Sequence, residues 1–140
     1  MAADPAVREL CAAQQAELEG RYGADSAEPP RGIDPGVSFL VARVGGEPVG
    51  CAGLKQLEPG VAEATRMYVK PAHRGHGISR RLLRELEVLA KERGVTTIRL
   101  ETGDLQPESI GLYGSSGYHR IPAFGQYAGS TLSLCFEKPL

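Results

Sequence analysis

Met67-Tyr-Val-Lys-Pro-Ala-His-Arg-Gly-His-Gly-Ile-Ser79 reads as a strand that breaks into a glycine-bearing turn and then opens a helix. Gly75 and Gly77 permit positive φ and close approach of a ligand to the backbone, so successive N–H groups can point at one spot. The helix that follows adds the positive end of its dipole. Arg74 supplies a guanidinium beside it. A phosphate or pyrophosphate is the ligand this chemistry suits. Two common phosphate loops are excluded. No Gly-Lys occurs, as a Walker loop requires, and Arg80 stands where a dinucleotide fingerprint beginning at Gly75 needs its third glycine.

Working outward, strand 61–70 leads into this turn and Pro71 closes it. Behind the turn, Ile78, Leu82, Leu86, Leu89 and Ala90 form the apolar stripe of a helix over 77–93, with Gly94 just past its end. Arg81/Glu85 and Glu87/Lys91 are i,i+4 pairs expected on its wet side. A strand over 95–101 completes a right-handed βαβ crossover, which makes 61–70 and 95–101 a parallel pair. Further out, Gly45-Gly46 joins strands 37–44 and 49–57 as a hairpin. Asp4 and Pro5 start a first helix that Gly20 and Gly23 end, and 23–36 is loop. Pro107 opens a short helix to 116, and strands 118–121 and 131–137 finish the chain. The predicted fold class is α/β in one domain, 1–140: a mixed, mostly antiparallel sheet with helices on its faces.

Composition narrows the function classes. Sixteen Lys+Arg against 17 Asp+Glu leave a net charge of −1, so no basic field invites nucleic acid or a membrane surface. The longest aliphatic run, Phe39 to Ala42, is far too short for a bilayer span. The Met-Ala-Ala-Asp-Pro start has neither a basic nor an apolar leader region, and Cys11, Cys51 and Cys135 are odd in number and widely spaced. Reduced, buried thiols in a cytoplasmic protein are the expectation. His73, His76 and His119 bring no companion ligand set, so no metal is expected.

Arg74-Gly-His-Gly-Ile-Ser79 resembles the R/Q-x-x-G-x-G/A signature of the GNAT superfamily, the CoA-dependent N-acetyltransferases, with Ser79 in the last small position. The resemblance extends to Ala62-Glu-Ala-Thr-Arg-Met-Tyr-Val69 before it and to 106–118 after it, where Gln106, Leu112-Tyr113 and Gly117-Tyr118 are similar to the family's N-x-x-A-x-x-L-Y…G-[FY] segment. It covers about 37–140. It implies a GNAT-like sheet whose strands 61–70 and 95–101 splay apart, and acetyl-CoA as co-substrate. Backbone groups of Met67, Tyr68 and Val69 would pair with the pantetheine arm. The backbone of Arg74, Gly75, His76, Gly77, Ile78 and Ser79 would hold the pyrophosphate. Gln106 stands where the family often has Asn, and an amide there would reach the cofactor. Tyr113 falls on the tyrosine that protonates the departing thiolate in many members. Members usually begin with a short strand ahead of the first helix; here the chain starts almost at that helix's N-cap, which leaves either a truncated start or a sheet one strand narrower as the expectation.

An amine attacks only when neutral, and an alkylammonium titrates near ~10. Glu63, charged within an apolar strand, is the candidate base; its other reading is a solvent-facing residue or an ion pair with Arg66 or Arg99. Tyr113 is either the general acid or an aromatic lid. Arg80, Arg81 and Arg84 form a solvated face or a clamp for the CoA 3′-phosphate. Phe124 and Tyr127 flank the acceptor or pack a hinge between the early loop and 122–130. The expected activity is N-acetylation of a primary amine on a small molecule or peptide by direct transfer. The alternatives are a non-catalytic acyl-CoA sensor or interaction domain and a phosphate-sugar or nucleotide binder. A homodimer is one of the assemblies allowed.

Overall fold

The computed structural model describes residues 4–22, 36–103, 107–128 and 133–140. Helix α1 (Pro5–Tyr22) starts where Asp4 caps it, its Oδ1 accepting from the Ala6 amide at 2.8 Å. The helix runs past Gly20 instead of ending there, because a single helical glycine costs only about 1 kcal/mol and nothing crowds this one. Strands β1 (Val37–Val44) and β2 (Glu47–Glu58) form the hairpin, with Gly45 and Gly46 at φ 58° and 82° in its turn. Strand β3 (Val61–Val69) follows, then a 3-10 turn at Pro71–His73 and helix α2 (Ile78–Glu92). Strand β4 (Thr97–Gly103), helix α3 (Pro107–Ser115), strand β5 (His119–Ile121) and strand β6 (Ser133–Pro139) complete the chain.

The six strands form one sheet in the order β1-β2-β3-β4-β6-β5. Among the described residues only β3 and β4 run parallel, joined by α2 as the crossover requires. Among the described residues no strand precedes α1, and β1 is the sheet edge on that side. Successive residues of a strand face opposite sides. Ala52 and Leu54 therefore enter the main core with Leu82, Leu83, Leu86 and Ala90 of α2, Ile98 and Leu100 of β4, and Tyr113 of α3. Cys51, one residue before Ala52 and so on the opposite face, joins a smaller cluster with Leu10 of α1 and Tyr68. Leu83 belongs to the buried face of α2 beside the expected stripe. Glu87 departs from its expected partner Lys91: its carboxylate accepts from Lys138 Nζ at 3.0 Å and from the Tyr118 hydroxyl at 2.9 Å, tying α2 to the end of the sheet. Among the described residues no helix is long and apolar enough to cross a membrane.

Two irregularities in this sheet prepare a site. Between Cys51 and Gly53 of β2 the facing strand runs from Tyr68 back to Thr65, one residue more, and Arg66 takes φ 56°. That bulge resets the alternation, so Glu63, Thr65 and Tyr68 share the face of Lys55, Gly53 and Cys51. The second is a parting of strands. β3 and β4 pair only from Val61↔Thr97 to Ala64↔Leu100; beyond that point β3 stays with β2 and β4 stays with β6.

Candidate active site

The turn at the end of β3 has the construction of an anion cradle. Gly75 and Gly77 sit at φ 82° and 80°, and Gly77 is the N-cap of α2 without any side-chain cap bond. Among the described residues the amides of Gly75, His76, Gly77, Ile78 and Ser79 donate to no protein group. The first turn of α2, Ile78-Ser79-Arg80-Arg81, carries no acidic side chain, so nothing in it offsets the positive end of the helix. Arg74 departs from expectation on two counts. Its amide is committed to the Pro71 carbonyl at 3.3 Å. Its guanidinium turns back onto the protein, donating to the Val69 carbonyl at 2.9 Å and pairing with Glu17 of α1 at 2.7 Å, over the Tyr68 ring. Arg74 thus braces the turn against β3 and α1, and the open donors are the five amides that follow it.

A cleft of about 490 Å³ runs from this cradle to the strand parting. One wall is Met67, Tyr68 and Val69 of β3; Glu108, Ser109 and Leu112 of α3 stand opposite. The carbonyl of Met67 accepts from Gln14 Nε2 at 2.9 Å, so α1 holds this stretch of β3 from behind. Arg80 bridges α2 to α3, with its guanidinium on the Ser115 hydroxyl at 2.9 Å and the Ser116 hydroxyl at 3.4 Å. These bonds set the width of the cleft, because α3 is tied to the helix that carries the cradle.

A second recess of about 130 Å³ adjoins the first and shares Met67 and Ser109 with it. Its lining is polar: Gln14 and Gln15 of α1, Glu63, Thr65 and Arg66 of β3, Glu101 of β4, Tyr113 of α3, and Tyr127. Glu63 is 5% exposed, and its Oε2 accepts from the Tyr127 hydroxyl at 2.6 Å. Glu101 Oε2 accepts from the Ser133 hydroxyl at 2.6 Å. The Arg99 guanidinium pairs with Glu137 at 3.3 Å, which gives that cation a carboxylate other than Glu63. Burial, followed by the charge of Glu101, pushes the Tyr113 hydroxyl well above the ordinary phenol range, so it is protonated throughout the neutral range. Tyr113 packs on Tyr118 and Phe136 with ring centroids 6.1 and 6.0 Å away. The side-chain oxygen of Gln14 is buried with no partner among the described residues.

A thioester-bearing chain with a diphosphate fits these two rooms: anion donors at one end, a strand edge along the middle, and a carboxylate and a phenol at the far end. The comparison with known proteins agrees. The model of the acetyltransferase (GNAT) family matches residues 6–118. The chain belongs to the GNAT acetyltransferase family. An IAA acetyltransferase from Azospirillum brasilense is 43% identical over 107 residues, 76% of this chain and 70% of that protein. A Klebsiella pneumoniae structure assigned as an acyl-CoA N-acyltransferase superposes with TM-score 0.84 at 38% identity, covering 99% of this chain and 92% of the other. The PaiA N-acetyltransferase of Thermoplasma acidophilum, solved in complex with coenzyme A, reaches TM-score 0.66 at 25% identity over 74% of this chain and 61% of that one.

Within this GNAT domain the residues singled out from sequence fall into both rooms. Met67, Tyr68, Val69, Arg74, Gly75, Gly77, Ile78 and Ser79 line the cleft; Glu63 and Tyr113 line the recess. His76 is exposed on the cradle, and Gln106 lies outside the described residues. The early loop expected on the acceptor side also lies outside them, apart from Gly36. Gln14, Glu17, Glu101 and Ser109 were not anticipated. Glu101 carried a weaker signal, being a carboxylate on the strand that pairs with that of Glu63. No cysteine lines either room. The three thiols are free and buried, and the Cys51 thiol donates to the Arg66 carbonyl at 3.3 Å. Among the described residues no cluster of His, Cys, Asp or Glu is arranged to hold a metal.

Proposed function

We propose that this GNAT domain transfers the acetyl group of acetyl-CoA directly to a primary amine, with both substrates bound at once. The observation that carries the reading is the shared wall: the 490 Å³ cleft and the 130 Å³ recess meet at Met67 and Ser109, where β3 and β4 part. When bound, acetyl-CoA supplies an activated acyl thioester; the free amides of 75–79 receive its diphosphate and the β3 edge its pantetheine arm. Glu63 takes the proton of the incoming ammonium, whose pKa of ~10 leaves little neutral amine at pH 7. As the C–N bond forms and the C–S bond breaks, the Tyr113 hydroxyl donates to the departing thiolate. A thiol titrates near ~8.5 and Tyr113 above the ordinary ~10, so outright proton transfer from the phenol runs uphill. Tyr113 therefore works chiefly as a hydrogen-bond donor to the thiolate, and the proton released by the amine completes the balance.

The recess supports the choice of acceptor. Two carboxylates, Glu63 and Glu101, and the side-chain oxygen of Gln14 are acceptors, which suits the three N–H groups of a primary ammonium. Its volume is near that of a cavity that holds benzene (~150 Å³), so the reacting end is slender. Release of CoA across a panel of primary amines tests the reading. Initial-rate lines that intersect as both substrates vary support direct transfer. Parallel lines indicate an acetylated enzyme and oppose it, and acetyl-CoA binding without release of CoA by any amine supports a binding module.

A further inference from the structure

We infer that Tyr127 is a positioning residue for acetyl transfer, acting through its hydrogen bond to Glu63. The inference rests on the reading of Glu63 as the group that takes the amine's proton. Glu63 and Tyr127 are 64 positions apart, each 5% exposed, and meet at 2.6 Å between the phenol oxygen and Oε2. A buried hydroxyl costs free energy unless it is bonded, and phenylalanine would fill the same space for the ring. The hydroxyl is thus a specific provision at this place.

The phenol is held from several directions. Tyr127 closes a 3-10 turn (Gly125–Tyr127) in the connection from β5 to β6, with its amide on the Phe124 carbonyl at 2.9 Å. The Phe124 ring meets the Tyr127 ring edge-on, centroids 5.4 Å apart at 85°. The Arg99 guanidinium lies 5.7 Å from the centre of the Phe124 ring and pairs with Glu137. The paired strands β4 and β6 therefore fix Phe124, Phe124 fixes Tyr127, and Tyr127 fixes the plane of the Glu63 carboxylate. A hydrogen bond donated to a carboxylate favours its ionised form, the form that accepts a proton.

Other groups act on Glu63 from every side. Lys55 of β2 and Arg99 of β4 are its register partners. Arg66 of β3, Glu101 of β4 and Tyr113 of α3 line the same recess, and Cys135 of β6 is near enough to feel its charge. The neighbouring residues of α1, Gln14, Gln15 and Leu18, carry no charge. Tyr127→Phe changes none of these, so a shift it causes belongs to the hydroxyl.

The test follows the Glu63 carboxyl carbon by ¹³C NMR against pH, its signal assigned by its disappearance in Glu63→Gln, alongside the pH profile of kcat/KM for CoA release on the primary-amine panel. In Tyr127→Phe the titration midpoint and the acidic limb of the profile are expected to rise together by about one to two pH units, the usual worth of a hydrogen bond to a charged group. Replacing Tyr127 by 3-fluorotyrosine, a more acidic phenol of nearly the same size, should move both downward. A packing role reverses no sign, so a rise with both replacements, or an unmoved midpoint, overturns the inference. In the Glu63→Gln background, Tyr127→Phe should bring no further loss; an equal loss there also overturns it. Full kcat/KM in Glu63→Gln alone defeats the underlying reading of Glu63 instead.

Discussion

Tyr113 meets both walls of its surroundings at once: its ring is in the main core and its hydroxyl borders the recess. Tyr113→Phe keeps the ring and removes the donor. Steady-state kinetics should show kcat lowered about 10²-fold, the low end for a positioned acid or donor, with acetyl-CoA affinity unchanged. Its raised pKa has a consequence for stability. Below pH 10 the phenol is protonated in the folded and unfolded chains alike and contributes no pH dependence. Above pH 10 the unfolded chain releases the proton while the fold retains it, so stability falls as pH rises. Melting temperatures between pH 9 and 11.5 should fall less steeply for Tyr113→Phe than for the native protein. Glu63 and Tyr113 were legible in the sequence because each is the wrong polarity for its strand or sits in a recognisable segment. The side chain of Arg74 was not, because Glu17, its partner, is 57 positions away and only the docking of α1 brings it near.

Among the elements, α2 was readable almost to its ends: an apolar stripe between two glycines, with Gly77 at φ 80° before it and Gly94 at φ 78° after it. The bulge of β3 was not, since its positive-φ residue is an arginine and nothing in the composition marks it. Gly53, opposite the bulge, shows its cost. A Cβ there meets Val37 Cγ1 at 2.6 Å and the Thr65 carbonyl oxygen at 3.2 Å, so β1, β2 and β3 close up around a missing side chain. Gly53→Ala is expected to destabilise by about 1–3 kcal/mol, the range for an overpacked core. Gly20→Ala should do the opposite, adding about 0.5–1 kcal/mol, because Gly20 lies inside α1 with nothing within 4 Å of its Cβ. Urea unfolding of the two variants checks both signs. Of the two glycines expected to end α1, Gly20 is passed and the helix stops at Tyr22, the residue before Gly23. Glycine lowers helix propensity but does not forbid the helix, and the buried Val7, Leu10 and Cys11 anchor it to the sheet.

Across the whole molecule, the sheet supplies two spaces by a single device, the failure of β3 and β4 to stay paired beyond Ala64 and Leu100. Helix α1 fixes one side through Gln14 and Glu17, and α3 closes the other. Order of elements and the parallel pair were derivable from periodicity and the crossover rule. The insertion of β6 between β4 and β5 was not, because strand order at the far edge depends on which partner strand β4 meets after it leaves β3. A ligand that binds only the folded state raises the melting temperature, so acetyl-CoA should stabilise the protein in a concentration-dependent way. The most direct measurement is calorimetric titration of acetyl-CoA into the native protein, Gly77→Ala and Gly77→Glu, with circular dichroism confirming each fold. One equivalent should bind the native protein. Gly77→Ala, which carries only the backbone strain of a φ near +80°, should bind more weakly, and Gly77→Glu, which sets a carboxylate among the cradle amides, should not bind. Binding by Gly77→Glu as tight as that of the native protein would contradict the account.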